Sequence, residues 1–199
     1  MRWWRWAAGL LATVTTLACA AIAAQTGAAR PSRAACGTEL WSLKTLSDPQ
    51  RGLVNLRPHK TTVAAIDARS MPHPAPATRS TAYERQVWRL KAQVVEFKLE
   101  ADDDIHLVVF EQGYYMIAEM PLANCLPTTT RDRRAIVAAR SRLVAPCGPP
   151  TSEWQTLGAI AYISGVGFWD FPHGQHGHAP NYAELHPVTG FRLVSGCRG

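Results

Sequence analysis

The stretch IHLVVF-EQG-YYMIAEM, Ile105 to Met120, constrains this chain more than any other part of its 199 residues. Two short runs of β-branched, aromatic and long apolar residues flank a turn, and Gly113 supplies the positive φ that a tight hairpin needs. With Gln112 and Gly113 at the turn centre, paired residue numbers sum to 225. Phe110 then faces Tyr115, Val108 faces Ile117, and His106 faces Glu119. Directly opposed side chains have Cβ atoms about 5 Å apart. The face carrying Ile105, Leu107, Val109, Met116, Ala118 and Met120 is uniformly apolar and must be core. His106 and Glu119 share the other face, at the end away from the turn. Asp102, Asp103 and Asp104 stand at the mouth of the hairpin.

Further strands surround it. RQVWRLKAQVVEFKLE, Arg85 to Glu100, has apolar residues at period two with one phase slip, which predicts a long strand bulged near Val94–Val95. Thr156 to Phe171 is apolar and Gly-punctuated, a strand that bends at Gly165 or Gly167. YAELHPVTGFRLV closes the chain with one or two more. KTTVAAID, Lys60 to Asp67, reads as a strand from its β-branched start, and TELWSLKTL as a strand or short helix. RSMPHPAPATRST is a Pro-rich connector, with His73 facing solvent. One main helix is expected, at about 130–144 within Thr128 to Val144, with Thr130 as cap, Asp132 complementing the dipole, and an apolar stripe of Ile136, Val137, Leu143 and Val144. The sum is a β-rich domain, all-β or α+β: an open β-barrel or a sandwich, the oligonucleotide/oligosaccharide-binding type among the barrels.

The N-terminus places the chain outside the cytoplasm. Arg2 and Arg5 precede an uncharged apolar stretch, Trp6 to Ala24, that ends in small residues around Ala21-Ile22-Ala23. Residues 1–24 read as a secretory signal peptide. An uncleaved anchor and a lipid anchor at Cys19 are the alternatives. Residues 25–35 read as a flexible mature N-terminus and 36–199 as one globular domain. No later stretch is apolar enough to span a bilayer. The signal contains two Arg and no acid, so its loss lowers the formal charge from +6 to +4. That permits an anionic polymer as partner without demanding one. Four cysteines remain: Cys36, Cys125, Cys147 and Cys197. In an exported chain an even count predicts two disulfides, with three pairings open. None forms a C-x-x-C pair, which leaves zinc ribbons and thioredoxin-like chemistry unsupported.

Two constellations carry candidate chemistry. Glu184 and His186 are two apart, so in a strand they share a face while Leu185 points inward. Set beside His106 and Glu119, they make two imidazoles and two carboxylates. Such a set can hold a divalent metal with an open position or act as acid and base; separately, each pair is an ordinary cross-strand contact. PHGQHGHAPN adds His173, His176 and His178. Its glycines make a local three-His site less favoured than an ordered loop, and His173 is retained as an acid/base candidate. Asn181 either shapes the turn or orients a ligand. Arg131, Arg133, Arg134, Arg140 and Arg142 make the helix basic, either as a solvated face or as an anion-binding surface centred on Arg133 and Arg134. No nucleophile elbow, phosphate loop or dinucleotide fingerprint is present.

Four segments, CGTELWSLKTLSD, FKLEADDDIHLVV, MIAEMPLANC and GVGFWDFPHGQHGHAPNYAELHPV, resemble a family of small exported bacterial proteins of unknown function. The family pattern ends in H-G-Q-x-G-x-A-P-N-x-x-E-L-H-P. The resemblance implies no activity. It does imply that Cys36 pairs with Cys125, and so Cys147 with Cys197, while His176 and His178 are extra to the pattern. The function expected is a metal-dependent hydrolase of a phosphodiester or other anionic polymer, with His106, Glu119, Glu184 and His186 as metal ligands and His173, Glu184 and His186 as acid/base groups. The alternative is a non-catalytic envelope or extracellular binding module.

Overall fold

The computed structural model describes residues 36–197, and Met1. The expected signal peptide beyond Met1, Cys19, the tail at 25–35 and Arg198 lie outside the described residues. A six-stranded sheet dominates: β1 (Asn55–Lys60), β2 (Gln86–Leu99), β3 (Ile105–Glu111), β4 (Tyr114–Met120), β5 (Gln155–Trp169) and β6 (Ala183–Ser195). The order is β1-β2-β3-β4-β6-β5, and β5 pairs back onto β2, so five strands close in a ring with β1 outside it. The fold is β-rich with one main helix. Alternating side chains fill the ring with Leu90, Val94, Phe97, Leu107, Met116, Ile163, Leu185, Phe191 and their neighbours, all buried.

The hairpin register is the one its sequence dictates: Phe110 with Tyr115, Val108 with Ile117, His106 with Glu119. Both turn residues have positive φ, Gln112 at 50° and Gly113 at 94°, the mirror-image turn that matches strand twist. In β2 the ladder slips between Val94 and Glu96, leaving Val95 as the bulge. Along β5 the pairing with β6 shifts register between Ile160 and Ala161 and twice around Gly165, between Ser164 and Gly165 and between Gly165 and Gly167. A Cβ on Gly165 would stand 2.8 Å from the Cβ of Leu185, and one on Gly167 only 2.2 Å from the carbonyl oxygen of Tyr83. Glycine here permits close backbone approach.

Two local expectations change, the strand at Lys60 to Asp67 and the bounds and cap of the main helix. Lys60 to Asp67 is not one strand: β1 ends at Lys60, and a short helix α2 runs Val63–Asp67. The hydroxyl of Thr62 accepts from the Ala65 amide at 3.1 Å, so a capping bond outweighs the β preference of two threonines and a valine. TELWSLKTL takes its helical alternative, as the short helix α1 (Trp41–Lys44). The main helix α3 spans Arg133–Cys147, later at both ends than predicted. Thr130 does not cap it: Thr130 lies in the preceding turn, and Asp132 holds the cap position with φ 58°. Ile136, Ala139 and Leu143 form the buried stripe.

Both disulfides are present, Cys36–Cys125 and Cys147–Cys197, the pairing that the resemblance implies. Each removes loop entropy from the unfolded chain, worth about 2–5 kcal/mol. They fit an oxidising compartment. Among the described residues no helix is long and apolar enough to cross a membrane.

Candidate functional site

The polar site is assembled by strand parity. Ile105 and Leu107 enter the core, so His106 between them points out, as does Glu119 opposite. β6 runs parallel to β4 with Ile117 beside Glu184 and Ala118 beside Leu185. Leu185 is core, so Glu184 and His186 also point out, and the next position in register brings His186 alongside Glu119. Asp104, two residues before His106, shares its face. The four residues predicted to converge do so, and Asp104 joins them.

Glu119 links the two imidazoles. Its Oε1 lies 3.1 Å from Nδ1 of His106 and its Oε2 3.0 Å from Nδ1 of His186. His106 Nδ1 is also 3.3 Å from Glu100 Oε1. His186 Nε2 is 3.3 Å from Asp104 Oδ2, and its Nδ1 is 3.9 Å from Glu184 Oε2. Phe168 meets the His186 ring edge to face at 5.7 Å. One ligand atom each from Asp104, Glu119 and His186 fall within 4.8 Å of one another, and all three residues are buried. Close approach is not matched by alignment. Both His186 nitrogens, His106 Nδ1, both Asp104 oxygens and Glu184 Oε2 are buried without a well-directed hydrogen bond. Of these residues, Asp104 and His186, with Glu119, bring ligand atoms close enough to share one ion.

Burial and charge set the protonation of the metal-free cluster. Desolvation disfavours an imidazolium at His106, but Glu100 and Glu119 outweigh it and raise the group to about 9. His186 is raised well above its ordinary value in the same way: Glu119 and Asp104 overcome burial. Burial works against ionised Glu119 too, yet His186 and His106 hold it well below the usual carboxylate range. Glu184 has no such surplus of cations. Burial, with Glu119 and Asp170 nearby, pushes it to about 7 against the pull of His186. Burial likewise raises Asp104.

The N-terminal segment seals this cluster. Cys36 is bonded to Cys125, just beyond β4, and the Trp41 indole donates to the Cys125 carbonyl at 3.3 Å. Gly37 fits because a Cβ there would stand 2.6 Å from the Trp41 ring. Lys44 lies 5.5 Å over the Phe168 ring. Burial lowers its basicity, but Glu119, Asp170, Glu184 and Asp102 more than restore it. His106, Glu119, Glu184 and His186 are at most 4% exposed.

The His-rich loop borders the cluster without entering it. The His176 carbonyl accepts from Nε2 of His106 at 3.1 Å, and its own ring meets Glu96 at 2.9 Å. Trp154 stands edge-on to both, 5.2 Å from the His106 ring and 4.9 Å from that of His176. Gly177 packs on β3, where a Cβ would come within 2.7 Å of Val108. A cleft of about 640 Å³ opens here, lined by Glu96, Val108, Tyr115, Gln175, His176 and His178 among others. His178 stacks on Tyr182. His173 bonds the Phe171 carbonyl and lies 3.5 Å from Asp170. The three loop histidines serve three different partners, as an ordered loop does.

The remaining candidates hold main chain. The Asn181 amide donates to the carbonyls of Ile66, Asp67 and Arg69 and accepts from the Ala183 amide, which fastens the loop to α2 and leaves no donor for a ligand. Arg133 donates to Leu126 and Ala123, Arg131 to Arg51 and Val54, and Arg140 to Asp103 and Met120. Arg134 and Arg142 are exposed. Guanidinium groups satisfying carbonyls explain most of the basic helix. Asp104 was visible in the sequence, since it has the parity of His106. Lys44 and Asp170 come from distant segments and left no local signal. No family model matches this chain, and neither a curated protein nor a solved structure does.

Proposed function

We propose that this chain is an exported binding module whose sheet is fastened by a buried divalent-metal centre formed by Asp104, Glu119 and His186. The observation that carries this reading is the set of three buried donors within 4.8 Å of one another, in which both Asp104 oxygens and both His186 nitrogens lack an aligned hydrogen bond. Unsatisfied buried polar atoms are costly, and one cation would satisfy several at once. Two carboxylates neutralise a divalent charge, and an added imidazole favours a borderline ion such as Zn²⁺ or Mn²⁺ over Ca²⁺. The cover of residues 36–48 suits a structural site more than an open catalytic one. The disulfides and the N-terminal sequence support export to the envelope or beyond.

A hydrolytic reading is favoured by one further observation: His106 and Glu184 flank the donor set, 3.1 Å from Glu119 and 3.9 Å from His186, where acid/base groups would be needed. Elemental analysis of natively purified protein tests both readings. Close to one equivalent of metal, lost in Glu119→Gln and His186→Gln, supports the centre. Well-folded wild-type protein that neither contains metal nor melts higher with added Zn²⁺ or Mn²⁺ overturns it. Turnover of an activated phosphodiester by loaded protein, abolished in Glu184→Gln with metal retained, would replace the structural role by a catalytic one.

A further inference from the structure

The outer face of β1, β2, β5 and β6 is open and basic. Lys60 pairs with Arg89, Arg89 with Ser164, and Ser164 with Gly190. The next outward row is Lys91, Tyr162 and Arg192. Lys60, Lys91 and Arg192 are exposed and Arg89 half-buried. β1, β5 and residues 86–94 of β2 contain no acid, and β6 contains none after Glu184. Among the described residues none of these four cations forms an ion pair with a carboxylate. Arg192 does not extend freely: its guanidinium lies 4.3 Å over the Tyr162 ring, which leans it across β5 toward Lys91.

The four cations therefore form two pairs. Lys60 and Arg89 lie on adjacent strands, about 4.8 Å apart at the backbone; Lys91 and the leaning Arg192 form the second pair. Arg89 and Lys91 are two residues apart, so the pairs are spaced by ~6.6–6.8 Å along the strand. Two residues of polypeptide contain six backbone bonds. A phosphodiester polymer with a three-carbon link between its ester oxygens also contains six bonds per repeat. Extended alongside β2, such a polymer presents successive phosphates at the spacing of the cation pairs. Single-strand binders that hold bases offer open aromatic rings, whereas the Tyr162 face is covered by Arg192. Recognition would be of the backbone alone.

We propose that this face binds an extended phosphodiester-linked polymer through its phosphates, each seated between two cations, without contacting its side groups. It shares no residue with the metal centre, so either reading can fail without the other. The probe is a fluorescent propane-1,3-diol phosphodiester oligomer, read by anisotropy on purified oxidised protein, with oligothymidylate of equal phosphate number beside it. The expected result is equal affinity for the two, with log K falling against log salt at a slope of about −1.4 for two neutralised phosphates. Lys91→Glu with Arg192→Glu should weaken binding at least tenfold at unchanged far-UV circular dichroism. Lys91→Gln should show a smaller loss in the same direction. Binding indifferent to these changes but weakened by Arg134→Glu moves the site to the helix and overturns the proposal. So does tenfold tighter binding of oligothymidylate, or binding to phosphatidylglycerol vesicles with none to the oligomer.

Discussion

The outer surface of one sheet is used in two opposite ways, and β6 contributes to both. His186 and Arg192 point outward from the same strand, six residues and ~20 Å apart. Around His186 the face holds Asp104, His106, Glu119 and Glu184, sealed beneath the disulfide-tied N-terminal segment. Around Arg192 it holds Lys60, Arg89 and Lys91, open to water. Period-two alternation produces both rows, and the covering decides their chemistry. A buried charge must be compensated by neighbours, so the sealed half interleaves acids with imidazoles. In water, like charges can stand side by side at little cost, so the open half need not contain an acid.

The largest difference between the halves should appear on removing Glu119. Its two oxygens serve His106 and His186, and its loss leaves two buried imidazoles facing too little negative charge. Breaking a buried pair from one side costs about 3–5 kcal/mol. Glu119→Ala should lower the urea-extrapolated stability by that order. A loss under 1 kcal/mol would mean that the sealed half is not electrostatically coupled and would dissolve the contrast.

Much of this contrast was written in local patterns. The hairpin turn dictated that His106 face Glu119, and alternation dictated that Glu184 and His186 share a face. Asp104 has the same parity as His106. The convergence of the two pairs needed the parallel contact of β4 with β6, which joins residues more than sixty positions apart, and no local pattern encodes that. The same limit applies to the basic helix. Arg131, Arg133 and Arg140 look like an anion surface until the chain brings carbonyls of residues 51, 54, 103, 120, 123 and 126 against them. The open basic face went unread because Arg89, Lys91 and Arg192 are ordinary outward positions until β2, β5 and β6 are laid side by side. β1 was hidden by Pro58, which only an edge strand tolerates.

The pH response sharpens the comparison, because burial and charge move groups of the sealed half into the range around and above neutrality. Without metal, His106 is raised from 6.5 to about 9. A raised pKa stabilises the fold fully below the unfolded value and loses that contribution as pH rises through the folded one. Glu184, raised from 4.5 to about 7, acts in the same direction at lower pH. Glu119 is lowered, so its contribution is present above 4.5 and lost in acid. In chelator, the urea midpoint should therefore fall from pH 6.5 to 9, and His106→Gln should flatten that slope. Saturating metal should oppose it, since ligands bind deprotonated and affinity rises with pH. A wild-type midpoint that stays level from 6.5 to 9 would refute the imidazolium assignment.

The smallest effect belongs to the open half. Removing Lys91 breaks no ion pair among the described residues and relieves repulsion from Arg89 and Arg192. Removing Arg192 deletes the stacking on Tyr162, worth ~0.5–1 kcal/mol at an exposed site, and relieves the same repulsion. Lys91→Ala should change stability by no more than about 0.5 kcal/mol, as exposed substitutions do, and any change should be a gain at low ionic strength. Arg192→Ala should lie near zero, its two terms nearly cancelling. In 1 M salt the Debye length is about 3 Å and the repulsion is screened. The Lys91→Ala gain should then vanish, while Arg192→Ala should show the bare stacking loss. Thermal melts of both variants at low and high salt measure the difference. If either costs more than about 1 kcal/mol at low salt, these cations hold the fold together, and the open half resembles the sealed one after all.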